Sequence, residues 1–222
     1  HPRDMGRVIG VMQRLRDAGN SLVVVEHEPQ IMLHADHILD MGPGPGERGG
    51  EVVFFGTPEE LKRSHTLTAD YLSGRKREKP GTDHGFPENR GLSPVLVEVL
   101  GAAEHNLKNI DVGIPLARLV CITGVSGSGK STLVQDVLYA ALRKAKGKPT
   151  EAPGVHRVLK GAEMIDDVVM VDQTPIGRTT RSNPASYVGA WNAIRSLYAR
   201  APLATERKYT AGTFSFNSGN GR

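Results

Sequence analysis

The chain of 222 residues has one cysteine, one tryptophan and few aromatic residues of any kind, 5% in all. A single thiol closes no internal disulfide, so the fold is not a cross-linked scaffold and must rest on a packed apolar core. Cys121 lies inside an apolar run, where a thiol reads as core packing rather than as a nucleophile. No run of eighteen apolar residues occurs, so no segment reads as a membrane-spanning helix. No secretory leader opens the chain, and a cytoplasmic setting without a membrane partner is expected. Neither sign of charge is scarce: 28 Lys and Arg stand against 24 Asp and Glu, a net charge of +4. That excess permits a polyanionic partner without requiring one.

What the sequence does hold is a phosphate-loop motif. Residues 124–131 read Gly-Val-Ser-Gly-Ser-Gly-Lys-Ser. Glycines let the backbone curl so that successive N–H groups face an anion. Lys130 supplies a mobile positive charge for the β- and γ-phosphates, and the Ser131 hydroxyl is placed to ligate Mg²⁺. Gly124, Val125, Ser126, Gly127, Ser128, Gly129, Lys130, Ser131 and Thr132 are therefore the candidate nucleotide-binding residues. The context agrees with the motif. Arg118 to Thr123 reads as a buried strand, and Leu133, Val134, Val137, Leu138, Ala141 and Leu142 recur at helical spacing. The order strand, glycine loop, helix puts the positive end of the helix under the phosphates.

Elsewhere the periodicity predicts a helix over 3–18, with Met5, Val8, Ile9, Met12 and Leu15 on one face. It predicts strands over 22–25, 37–41 and 51–55, and a helix capped by Thr57 with Pro58 and Glu60 behind it. Gly42 to Gly50 reads as a connection, because no Gly-Lys-Ser/Thr ending follows its glycines. Residues 74–94 are charged and rich in Pro and Gly, which is linker composition. Further strands are predicted over 95–100, 110–114 and 168–171. Polar connections are predicted over 144–163 and 174–187, and a short helix ends near Arg200.

Four longer stretches carry a family resemblance. CITGVSGSGKSTLVQDVLY around the loop, DQTPIGRTTRSNPASY (172–187), YTAGTFSFN (209–217) and VVVEHEPQIMLHADHILDMGPGPGERGGEV (23–52) resemble segments of the UvrA family of excinuclease ABC proteins, and they stand in the family's order. The resemblance implies an α/β fold of the ABC type of phosphate-loop NTPase, a mixed sheet with flanking helices, in two incomplete lobes. Residues 1–73 would close a first ATPase domain, 74–94 would link, and 95–222 would open a second, ending before a zinc module. His27 would be the switch histidine that senses the γ-phosphate. Gln173 would be the loop glutamine that meets Mg²⁺, alongside Ser131, or the attacking water. His27 and Lys130 would belong to separate sites. Arg178, Arg181 and Arg195 would be candidate contacts to DNA phosphates.

The implied function is that of an ATP-dependent DNA-damage-recognition component of nucleotide excision repair. ATP and Mg²⁺ would be its cofactors, and zinc would be present only in the full-length protein. Its partners would be damaged double-stranded DNA, a second copy of itself and a UvrB-type protein. The sequence departs from the family in lacking a Leu-Ser-Gly-Gly signature, an apolar run ending in Asp-Glu, and the zinc cysteines. A segment of a longer protein with little hydrolysis of its own is the expectation. A UvrA-like ATPase of drug self-protection, or another soluble ABC ATPase, is the alternative. A phosphate-loop kinase would need an acceptor lid that the sequence does not suggest.

Overall fold

The structure is a computed structural model that describes residues 2–74, 96–172 and 184–215. It divides into two compact units, His1–Val169 and Met170–Arg222.

The first unit begins with helix α1 (Pro2–Asp17), strand β1 (Leu22–Val25), helix α2 (Pro29–His34) and strand β2 (His37–Gly42). Strand β3 (Glu51–Gly56) and helices α3 (Pro58–Arg63) and α4 (Leu67–Ser73) follow. From residue 96 come β4 (Leu96–Ala102), β5 (Ile110–Pro115) and β6 (Leu119–Gly124). Helix α5 then winds with π pitch over Thr132–Tyr139 and with α pitch over Ala140–Ala145, and the short strand β7 (Val158–Lys160) comes last. The predicted capping box is present at α3: the Glu60 amide donates to Thr57 Oγ1 at 3.3 Å, and the Thr57 amide donates to the Glu60 carboxylate at 2.7 Å.

One sheet runs in the order β1-β6-β2-β3. β6 lies parallel to both neighbours, with Val24 opposite Cys121 on one side and Ile38 opposite Cys121 on the other. β3 closes the sheet antiparallel to β2. The strand β6, from residues 96–172, thus takes both its partners from residues 2–74. Leu119, Val120, Cys121 and Ile122 are fully buried there. Cys121 is core packing, as its run of neighbours implied, and burial pushes its thiol up to about 12, far from a reactive thiolate. A second, antiparallel sheet runs β5-β4-β7.

Several expectations need correction. On α1, Ile9 is buried with Met5 and Met12 packed beside it, but Val8 and Leu15 are 46% and 48% exposed. The apolar stripe is wider than the ridge at 5, 9 and 12 that meets the sheet. Residues 168–171, read as a buried strand, form none: Val169 is 81% and Val171 89% exposed. Branched side chains favour extended backbone, but a strand also needs a hydrogen-bonded partner, and among the described residues none pairs with this segment. Conversely, Val158–Lys160, placed in a polar connection, pairs with β4.

The second unit holds helices α6 (Pro184–Tyr187), α7 (Ala190–Ala199) and α8 (Pro202–Glu206). α7 ends one residue before Arg200, as predicted, while α6 occupies the end of a stretch read as loop. Phe214 meets Tyr198 at 5.7 Å and Tyr209 edge-on at 6.2 Å, which ties the turn after α8 back to α7.

Candidate functional site

The phosphate loop leaves the carboxyl end of β6 and enters α5. Gly124, Gly127 and Gly129 all have positive φ, at 127°, 76° and 101°. At Gly124 the need for glycine is twofold, because a Cβ would also run into the Met41 carbonyl of β2. Inside the loop the Ser128 amide donates to the Val125 carbonyl at 3.2 Å, and the Leu133 amide to the Gly129 carbonyl at 2.9 Å. The helix repeats as its apolar positions predicted: Leu133, Val134, Val137, Leu138, Ala141 and Leu142 are all buried. Ser126 and Ser131 are exposed, and Thr132 is half-buried in the first turn of α5.

Lys130 is buried, and its ammonium donates to the carbonyls of Gly124 and Val125 at 2.9 and 2.8 Å. Burial pulls its pKa below the ordinary lysine value, and the charge of Asp40 opposes that fall. No carboxylate among the described residues forms an ion pair with it. The Ser128 hydroxyl is buried and has no hydrogen-bond partner among the described residues. A buried cation held only by carbonyls, an unsatisfied hydroxyl and a helix N-terminus are a donor set that suits a polyphosphate with its Mg²⁺.

Asp40 was missed at the sequence level, although a carboxylate inside the apolar strand Ile38-Leu39-Asp40-Met41 is itself a signal. It stands opposite Thr123 in the pairing of β2 with β6. It is 2% exposed and accepts from Thr68 Oγ1 at 2.9 Å. Burial raises its pKa to about 6, against opposing pulls from the Thr68 and Thr66 hydroxyls and the Lys130 charge. The native state thus holds a proton that the unfolded chain releases near the ordinary value of 3.8. Below that value both states are neutral and no cost arises. As pH rises from about 4 to 6, stability falls, by about 3 kcal/mol in all, and above that the loss is complete. Asp40→Asn is expected to remove this slope while keeping the acceptor for Thr68. Urea unfolding from pH 4 to 7 checks it, and a slope that survives the substitution places the proton elsewhere.

The loop before β3 was read as a plain connection, yet it packs on the phosphate loop. The Gly46 amide donates to the Gly127 carbonyl and the Gly50 amide to the Ser128 carbonyl, each at 3.0 Å. Asn106, in the turn between β4 and β5, donates through Nδ2 to the carbonyls of Gly46 and Gly127, both at 3.0 Å. No feature of the sequence around Asn106 marks it for this role.

The remaining candidates are dispersed. His27 is exposed, two residues beyond the Val25–Ile122 register pair. The Glu26 amide still bonds the Ile122 carbonyl at 3.2 Å, so the chain passes His27 at the edge where β6 turns into the phosphate loop. The resemblance assigns His27 and Lys130 to different domains, whereas here the strands that lead to them are neighbours. Arg195 is half-buried on α7 in the second unit. Gln173, Arg178 and Arg181 lie outside the described residues.

A parallel-strand edge, a glycine loop around a buried ammonium and the helix behind it define a phosphate-loop protein of the α/β class, the class that includes the ABC-type ATPases. Over its whole length the chain is 48% identical to the UvrABC system protein A of Deinococcus radiodurans, 51% to that of Thermus thermophilus and 50% to that of Methanothermobacter thermautotrophicus. The chain belongs to the UvrABC system protein A family. It spans 22%, 23% and 23% of the length of those three relatives. A crystal structure of UvrA2 from Deinococcus radiodurans matches 99% of the chain and 25% of its own length at 41% identity, with a TM-score of 0.40. No protein-family model matches the chain. No described helix is long and apolar enough to cross a membrane.

Proposed function

We propose that this chain binds ATP with Mg²⁺ at residues 124–132, as part of an ATP-dependent protein that recognises damaged DNA in excision repair. The supporting observation is the phosphate loop itself: three left-handed glycines and a buried Lys130 whose ammonium, among the described residues, has only carbonyl partners. Lys130 would hold the terminal phosphates, the loop amides would orient the chain of phosphates, and Ser131 would stand beside the metal ion. Bound Mg²⁺ supplies neutralisation of phosphate charge; the protein supplies position.

Residues 1–73 would correspond to the close of a first ABC ATPase domain and 95–222 to the opening of a second. In that larger protein His27 would read the γ-phosphate of another loop's nucleotide, and Gln173 would approach the metal ion or the attacking water. Arg178, Arg181 and Arg195 would meet DNA phosphates, and the UvrB-type protein, zinc and a second copy would join there. With no acidic pair after an apolar strand and no signature motif, hydrolysis by this chain is expected to be close to background. Titration with a fluorescent ATP analogue in the presence of Mg²⁺, paired with a phosphate-release assay, tests both halves. Saturable binding with negligible turnover is the expected result. Absence of binding refutes the nucleotide reading, and turnover like that of a complete ATPase refutes the incomplete site.

A further inference from the structure

The carbonyls on the outer side of the phosphate loop have been given partners by a second glycine loop and one asparagine. A trans peptide points its C=O and N–H in opposite directions. The Ser128 carbonyl is held outward by the Gly50 amide, so the Gly129 N–H faces the other way, away from the strap that carries Gly50. The Gly127 carbonyl is held by two donors, the Gly46 amide and Asn106 Nδ2. The same Nδ2 also binds the Gly46 carbonyl, so one amide group bolts the two loops together.

The fit is close. A Cβ at Gly50 would strike the Asn106 carbonyl, and one at Gly49 would lie 2.9 Å from Ser128 Cα and 3.2 Å from Asn106 Nδ2. One at Gly129 would lie 3.1 Å from Asn106 Oδ1. The Lys108 amide donates to the Gly50 carbonyl at 2.9 Å, which anchors the strap to the turn that carries Asn106.

We infer that Asn106, together with the strap 44–50, is a positioning element for triphosphate binding. It holds the outward carbonyls of residues 127 and 128 so that the inward amides are preset for phosphate oxygens. Asn106 touches no phosphate itself. This role rests on the reading of 124–132 as a nucleotide site. Its logic is that an unclamped glycine loop samples many peptide orientations, and binding must then bear the cost of ordering them.

The test uses the whole 222-residue chain and three variants of one side chain. Asn106→Ala removes both donated bonds, Asn106→Asp keeps the shape but has no N–H to give, and Asn106→Gln restores a donor on a longer arm. Affinity for Mg·ATP and for inorganic tripolyphosphate is measured alongside the urea midpoint and amide exchange at Gly46 and Gly50 without nucleotide. Both ligands are expected to lose about tenfold in affinity with Ala and at least as much with Asp, and to recover in part with Gln. The Gly46 and Gly50 amides should exchange faster in the Ala and Asp variants while the urea midpoint stays close to wild type. Asn106→Asp binding as tightly as wild type, or exchange at Gly46 and Gly50 unaltered by Ala, overturns the positioning role. Wild-type chain that binds neither ligand overturns the nucleotide reading, and this inference with it.

Discussion

A chain that starts at residue 95 is expected to be unfolded, and to regain a cooperative transition when residues 1–74 are added in trans. The reason lies in the sheet order β1-β6-β2-β3. Every strand bonded to β6 comes from residues 22–42, so removing them strips both edges of the central strand at once. Leu119, Val120 and Ile122 have no exposed surface in the intact chain. Exposing three such side chains, at roughly 2 kcal/mol each, already matches the lower end of a domain's entire stability of about 5–15 kcal/mol. The damage extends further, because Leu119 and Cys121 share one cluster with Ile31, Met32, Ile38, Phe54 and Leu61. Far-ultraviolet circular dichroism and urea unfolding of the shortened chain, alone and mixed with 1–74, make the measurement. A shortened chain that unfolds cooperatively at the wild-type midpoint contradicts the shared sheet.

Lys130→Ala is expected to lower affinity for Mg·ATP on the order of a hundredfold. Its ammonium is buried within the loop, and charge-assisted hydrogen bonds in a partly dry site are the strongest single contacts such a loop offers. Its present acceptors, the carbonyls of Gly124 and Val125, belong to its own loop, so the ammonium exchanges these for phosphate oxygens without leaving a carboxylate unpaired. The substitution has a second consequence at Asp40. Losing the ammonium removes an attraction that lowers the pKa of that carboxyl, so its midpoint moves up from about 6, and the fall in stability, still beginning near 3.8, extends to higher pH. Binding titrations and the pH series of unfolding test the two effects on one variant. Unchanged affinity removes Lys130 from nucleotide binding, and an unmoved midpoint breaks its electrostatic link to Asp40.

The candidate site was legible in part because its chemistry is local. Eight consecutive residues carry the phosphate loop, the apolar run before it marks β6, and six side chains at helical spacing mark α5. Thr57 and Glu60 announced their capping box for the same reason: both partners lie within one turn. Asn106 and the strap 44–50 were not legible, because their bonds join residues 21 and 60 positions apart and depend on backbone atoms that every residue type possesses. Val168 to Val171 misled for a related reason, since composition states a preference for extended backbone but not whether a partner strand comes to lie beside it.

The amino-acid order by itself therefore determined the phosphate loop, the strand and helix that frame it, and the absence of disulfide support and of long apolar spans. Only the tertiary structure decided which strands flank β6, that Asp40 shares the interior with Lys130, and that a second glycine loop braces the first. Periodicity and motif spacing encode short-range geometry, whereas sheet partners and burial emerge from contacts between segments far apart in the chain.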